Sequence, residues 1–385
     1  MKQRILLALL VAAGLSGCGT VGGWFGLSGA KTTEAKPAAL APIMATANLT
    51  RMWDANVGKG LPYVFSPVTD GQAVYAAGTE GHLVKLDLAS GRELWRIDAG
   101  RFLSAGVGVG DGLALVGTAK GEVLAYRTEN GQLAWSAKLS GEILAPPVAA
   151  NGAVAVRGND GNVWLLDAKD GKRRWVYNRV IPSLTLRVPG NLLLTERALF
   201  VGYPGGTLAA LALNNGAPLW ETSVAIAKGA NELERIADVT GPLAADDQVV
   251  CAAAYQGRIG CFDQTNGNPI WVRNFSGLSG AGIGGRYLYA ADEHATVQGY
   301  DLTSGANPWK QDALRDRRLS TPLAVAKYVA VADYQGDIHL LGEENGALVG
   351  RAASDGGAVN GQMLALKSGL IVQTAKGGVY AFKIQ

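Results

Sequence analysis

The sequence predicts an all-β protein: an eight-bladed β-propeller of four-stranded antiparallel blades, closed by an N-terminal strand. Three observations predict it. A glycine followed fourteen residues later by a tryptophan recurs along most of the chain. The last such unit lacks its tryptophan strand, while a tryptophan strand with no unit before it stands near the N-terminus. Finally, 53 glycines in 385 residues imply many tight turns between many short strands.

The repeat runs as follows. Gly81 leads to Trp95, Gly121 to Trp135, Gly161 to Trp175, Gly206 to Trp220 and Gly257 to Trp271. Ala295 replaces the glycine before Trp309, and Gly336 leads to Gly350, where the tryptophan is missing. Ten residues after each leading position stands another glycine: Gly91, Gly131, Gly171, Gly216, Gly267, Gly305 and Gly346. An eighth unit begins at Gly377 and holds no tryptophan strand, and Met52-Trp53-Asp54 is the unattached strand that completes it. The period is roughly 42 residues, the length of a propeller blade.

Each blade reads as four strands. In the first unit Ser66-Pro67-Val68 starts the inner strand, Asp70-Gly71 turns, and Ala73 to Ala77 is the second strand. Thr79-Glu80-Gly81 fits a three-residue loop with glycine in the left-handed conformation. His82 to Leu88 alternates apolar and polar residues, Ala89-Ser90-Gly91 turns again, and Glu93 to Ile97 is the outer strand with Trp95. One tryptophan per blade at a fixed position reads as packing between neighbouring sheets rather than as a ligand cage.

Ahead of the ring, Lys2 and Arg4 precede the apolar run Ile5 to Leu15. Eleven residues are too few to span a membrane but suit the core of a signal peptide. The run ends in Leu15-Ser16-Gly17-Cys18, which resembles a bacterial lipobox. That resemblance implies a signal peptide over 1–17, with Cys18 as the acylated mature N-terminus anchoring the protein in a membrane. Gly19, in place of the aspartate that retains such proteins at the inner membrane, implies the outer membrane, periplasmic face. Residues 18–48, rich in Gly, Ala, Thr and Pro, read as a flexible tether, and 49–385 as the propeller. A net charge of +3 with no long basic block argues against nucleic acid as a partner.

Cys251 and Cys261 remain, in an oxidising compartment. If Tyr255-Gln256-Gly257 is a three-residue hairpin loop, counting outward sets Cys251 opposite Cys261, within reach of a disulfide. Two buried thiols are the alternative.

Unit spacing marks a candidate binding face. Most units start 38 to 41 residues apart, but Gly161 to Gly206 is 45 and Gly206 to Gly257 is 51. The extra residues follow the tryptophan strands of two adjacent blades, so both loops should emerge on one face of a rigid ring. The first carries Leu184, Leu186 and Arg187, with Arg179 upstream. The second carries Glu232, Glu234, Arg235 and Asp238, with Leu233 and Ile236 spaced as on one helical turn. An apolar centre with charges around it suits a protein interface, with Leu184, Leu186, Arg187, Arg235 and Asp238 as contacts. The competing reading is that the leucines plug the central channel.

The unit resembles the quinoprotein-type propeller repeat, in which an Asp-x-x-x-Gly turn precedes a docking tryptophan by four residues: Asp87 to Gly91 before Trp95, Asp167 to Gly171 before Trp175, Asp263 to Gly267 before Trp271. Within that superfamily the chain resembles the BamB family, lipoproteins of the outer-membrane β-barrel assembly machinery. Ile181-Pro-Ser-Leu-Thr-Leu-Arg187 and Glu232-Leu-Glu-Arg-Ile-Ala-Asp-Val239 are similar to two family segments, although Thr240 stands where that pattern has aspartate. The resemblance implies a non-catalytic scaffold that binds a periplasmic POTRA domain of BamA and other subunits, or a platform for unfolded outer-membrane proteins, with no cofactor. The rival readings are a quinone-dependent dehydrogenase and a cell-wall-binding propeller. Against the enzyme, there is no vicinal cysteine pair, and His82, His294 and His339 fall in distant units.

Overall fold

The blades arise because each unit alternates short apolar strands with turn residues, and the central strands are apolar on both faces. Ala73–Ala77 is buried at every position, as are Leu113–Gly117, Leu199–Tyr203 and Tyr287–Ala291. Such strands cannot face water on either side, so each sheet packs between two others. The computed structural model describes residues 36–190 and 192–385. Among them, 32 strands form eight four-stranded antiparallel sheets. Seven blades follow chain order, at 68–98, 105–138, 148–177, 192–223, 239–275, 281–311 and 323–353. The eighth combines Leu364–Leu366, Gly369–Gln373 and Gly378–Ile384 with the N-terminal strand Leu49–Asn56. That strand pairs antiparallel with Gly378–Ile384, Trp53 opposite Ala381 and Asn56 opposite Gly378.

The core is a ring of interfaces between consecutive blades. The second and third share Leu115, Trp135, Val154 and Leu166; the eighth and first share Trp53, Val74, Leu86 and Ala381. The glycine–tryptophan coupling has a direct geometric cause. Trp135 donates its indole N–H to the Ala168 carbonyl in the next blade's turn at 2.8 Å, and its ring lies on Gly171. A Cβ on Gly171 would stand 2.5 Å from that ring, and its φ of +72° also favours glycine. Trp95, Trp175, Trp220, Trp271 and Trp309 dock the same way, as does Trp53 on Leu88 and Gly91 across the closure.

The seventh blade breaks the rule for a reason visible in the topology. A docking tryptophan needs the turn between the third and outer strands of the next blade. In the eighth blade those strands are far apart in sequence, so no such turn joins them. Asn48 and Gln385 exchange backbone hydrogen bonds there instead, at 3.0 and 2.9 Å. Ala47 fills the vacated position: a Cβ on Gly350 would lie 2.6 Å from the Ala47 carbonyl oxygen.

Part of the expected tether therefore belongs to the ring. From Pro37 onward the chain forms one compact unit. The Ala38 N–H donates to the Arg315 carbonyl, those of Thr46 and Ala47 donate to the Val349 carbonyl, and Leu40 packs against the interface of the sixth and seventh blades. The flexible reading of 18–48 is thus corrected for 37–48, whose backbone groups are captured by the seventh blade and the connection leading into it. The signal segment 1–17, Cys18 and the tether up to residue 35 lie outside the described residues.

Candidate docking face

The two long connections are 178–191, between Arg173–Tyr177 and Leu192–Leu194, and 224–238, between Pro218–Ser223 and Val239–Ala245. They touch each other. Gly190 and Gly241 form an isolated parallel bridge, and the Asp238 carboxylate accepts the Leu186 N–H at 2.7 Å and the Gly205 N–H at 3.0 Å. Asp238 is only 2% exposed. Its placement as a partner contact is corrected accordingly: both carboxylate oxygens are used inside the protein, and it acts by holding Leu186 and the first loop in place.

Arg187 does reach the surface, with its side chain 51% exposed. Its Nε donates to Glu142 Oε2 at 3.0 Å and its Nη2 to Oε1 at 2.5 Å, a two-pronged pair with the neighbouring connection. Its guanidinium also lies 5.2 Å from the Tyr63 ring centre, on the connection leading into the first blade. The Glu142 hydrogen bonds raise the Arg187 pKa further, keeping the group charged. Arg187 thus spans loops of separate blades and is presented in a fixed orientation.

Below it, Val188 and Pro189 line a cavity of about 710 Å³ at the ring's centre, together with Pro67, Pro147 and Pro242. The leucines do not line it. Leu184 is 38% exposed and Leu186 is half-buried beside the Asp238 anchor.

The second loop makes a single turn. Asn231 Oδ1 accepts the Glu234 N–H at 3.0 Å, and Glu234 Oε2 accepts the Ala230 N–H at 2.7 Å, reciprocal capping that fixes so short a turn. Arg235 is exposed and donates from Nε to the Gly229 carbonyl at 3.1 Å. Leu233 projects from this turn 67% exposed, and Ile226 is exposed earlier in the loop. With Leu184 and Val180 they put exposed apolar side chains on both of the loops that carry Arg187 and Arg235.

Several supporting residues escaped the sequence reading. Glu142 and Tyr63 hold Arg187, and Arg157 lies buried under the first loop, donating to the Gly202 carbonyl at 2.6 Å. Burial pushes the Arg157 guanidinium pKa down, opposed by Tyr203 and Asp238. A Cβ on Gly190 would fall 1.7 Å from Arg157 Nη1, so that backbone rests directly on the guanidinium. Arg179, which the sequence did mark, pairs with the unmarked Glu221 at 2.7 Å and covers the Tyr203 ring. These contacts cross between blades, so no local spacing announces them.

Cys251 and Cys261 stand opposite each other in the hairpin of the fifth blade, fully buried and joined as a disulfide, Cα to Cα 4.0 Å. Thr240 is buried and donates its hydroxyl to the Gly277 carbonyl. Among the described residues no group of three or more His, Cys, Asp or Glu is placed to hold a metal ion.

Comparison with known proteins agrees with this architecture. A family model described as "Outer membrane protein assembly factor BamB" matches residues 79–311 and 293–385. A protein of that name from Burkholderia pseudomallei is 38% identical over 358 residues, covering 92% of this chain and 93% of its own. The crystal structure of BamB from Moraxella catarrhalis superposes with a TM-score of 0.80 at 25% identity, over 87% of this chain and 99% of that one. The quinohemoprotein alcohol dehydrogenase of Comamonas testosteroni shares the fold, with a TM-score of 0.68 at 14% identity over 87% of this chain and 76% of its own. At that distance the likeness speaks for the propeller and not for the chemistry. The repeat, the ring closure and these full-length matches together establish that this chain belongs to the BamB family of outer membrane protein assembly factors.

Proposed function

We propose that the protein is a non-catalytic scaffold of outer-membrane protein assembly. Anchored to the outer membrane by acylated Cys18, it docks its loop face on a periplasmic POTRA domain of BamA. One observation carries this reading: two loops from adjacent blades are locked together by Asp238, and the locked pair exposes Leu184, Leu233, Arg187 and Arg235. An interface gains affinity when its contact groups are already ordered, because less conformational freedom is lost on binding. Exposed apolar side chains and guanidinium groups on the same pair of loops match the usual composition of such contacts.

Rigidity is the function here. A ring whose blades dock tryptophan to glycine holds the loop face at a fixed angle to the rest of the molecule, so a bound domain is oriented as well as held. Co-purification from detergent-solubilised outer membranes tests the reading. The tagged lipoprotein should bring down BamA, and a variant with Leu184→Asp and Leu233→Asp should lose it at equal abundance. Retention of BamA by that variant would remove this face from consideration.

A further inference from the structure

The strap 38–47 is held in part by a polar network, buried except at Arg351, that the docking face does not use. Arg317, 3% exposed, donates from Nη1 to the Ala38 carbonyl at 3.0 Å, and Arg351 donates from Nη1 to the Ala41 carbonyl at 3.1 Å. Both arginines are aimed by the same pair. Asp333 Oδ2 accepts from Arg317 Nε at 2.6 Å and faces His339 Nε2 at 3.1 Å. Arg351 Nε donates to His339 Nδ1 at 3.1 Å, the two residues being directly opposed in neighbouring strands. Asp333 and His339 are completely buried.

This geometry leaves one tautomer. A guanidinium has no acceptor, so Nδ1 must be the bare nitrogen and Nε2 must carry the hydrogen that meets Asp333. The ionisable groups around the ring are Asp333 from the turn before its strand, Asp337 at the start of that strand, Arg317 from the connection 312–322, and Arg351 from the outer strand. The strap contributes only backbone carbonyls to the clasp.

We propose that this network is a proton-released clasp: a second proton on His339 expels Arg351 and frees the middle of the strap around Ala41 and Met44, while Ala38, Thr46 and Ala47 keep their own backbone bonds to the ring. The sign follows from counting protons. With the strap docked, Nδ1 is occupied, and protonating it would set an imidazolium against a guanidinium. Once Arg351 swings outward, Nδ1 is open and the imidazolium keeps Asp333 as its partner. Burial alone would raise the Asp333 carboxyl, but hydrogen bonds from His339 and Arg317 hold it below the usual carboxylate range, so that partner stays charged. The released state therefore binds one more proton, and acid favours it.

The test uses the full mature chain with Cys18→Ser and Met44→Cys, labelled with a nitroxide at position 44. Met44 is 92% exposed, and the other two cysteines are joined to each other. Spectra are compared at about pH 8 and about pH 5, either side of the range in which histidine changes charge. The expected result is a restricted label in the alkaline sample that becomes mobile in acid, with tryptophan fluorescence of the ring unchanged. His339→Gln, which keeps one donor and one acceptor but does not titrate, should stay restricted at both. Arg351→Ala should be mobile at both, and it decides the matter if His339→Gln does not fold. A label equally restricted at both pH values in the parent, acid release persisting in His339→Gln, or a restricted label in Arg351→Ala would each overturn the clasp.

Discussion

Asp238 and Arg187 show how far apart two polar residues on one face can be in role. Arg187 presents half of its side chain to solvent, whereas Asp238 spends both oxygens on backbone N–H groups. Removing a buried acceptor strands its donors, at about 1–3 kcal/mol. Asp238→Ala is therefore expected to loosen the first loop and raise its protease sensitivity, with BamA binding falling because Leu186 and Arg187 lose their support. Limited proteolysis with mapping of cuts in 178–191 checks this; a cutting pattern like the parent's would contradict it. The sequence picked out the right segment but could not separate these roles. Charge and position in a loop are local properties, whereas burial of Asp238 depends on Gly205 and Leu186, 33 and 52 residues away. Glu142 and Tyr63 were invisible for the same reason.

At the scale of strands and turns, the repeat was fully legible, because every blade satisfies the same local constraints. The apolar central strand, the left-handed glycine and the tryptophan above it are dictated within about 40 residues. The missing tryptophan at Gly350 was legible only as a gap. Its cause lies some 300 residues away in sequence, where Ala47 takes the place of an indole. The same long-range closure explains why 37–48 read as tether: a strap bound mainly through its backbone N–H and carbonyl groups needs no distinctive side chains. Two predictions belong here. Trp53→Ala removes a buried ring from the closing interface, a loss of about 3–5 kcal/mol. It should lower the melting temperature far more than Trp24→Ala, and equal small shifts would show that this strand does not close the ring. In the fifth blade, alkylation of the denatured, unreduced protein should leave Cys251 and Cys261 unlabelled, as mass spectrometry will show; two labelled thiols would mean the hairpin carries no bridge.

At the scale of the whole molecule, the described residues form a ring, and the proposed anchor at Cys18 should be separable from it. Replacing Cys18 by Ala should abolish palmitate incorporation while leaving the melting curve of the purified ring unchanged, since the ring's contacts begin at Pro37. Continued labelling would remove the anchor assignment. The central claim is that the face built by 178–191 and 224–238 docks on BamA. Its most direct test is the affinity of the lipid-free propeller for the isolated periplasmic POTRA domains of BamA, measured with melting curves for each variant. Arg187→Ala alone should cost about 1–3 kcal/mol, roughly tenfold or more in Kd. Arg187→Ala combined with Leu184→Ala should weaken binding further, at a melting temperature close to the parent's. An unchanged Kd for the double variant, at unchanged stability, would contradict the account.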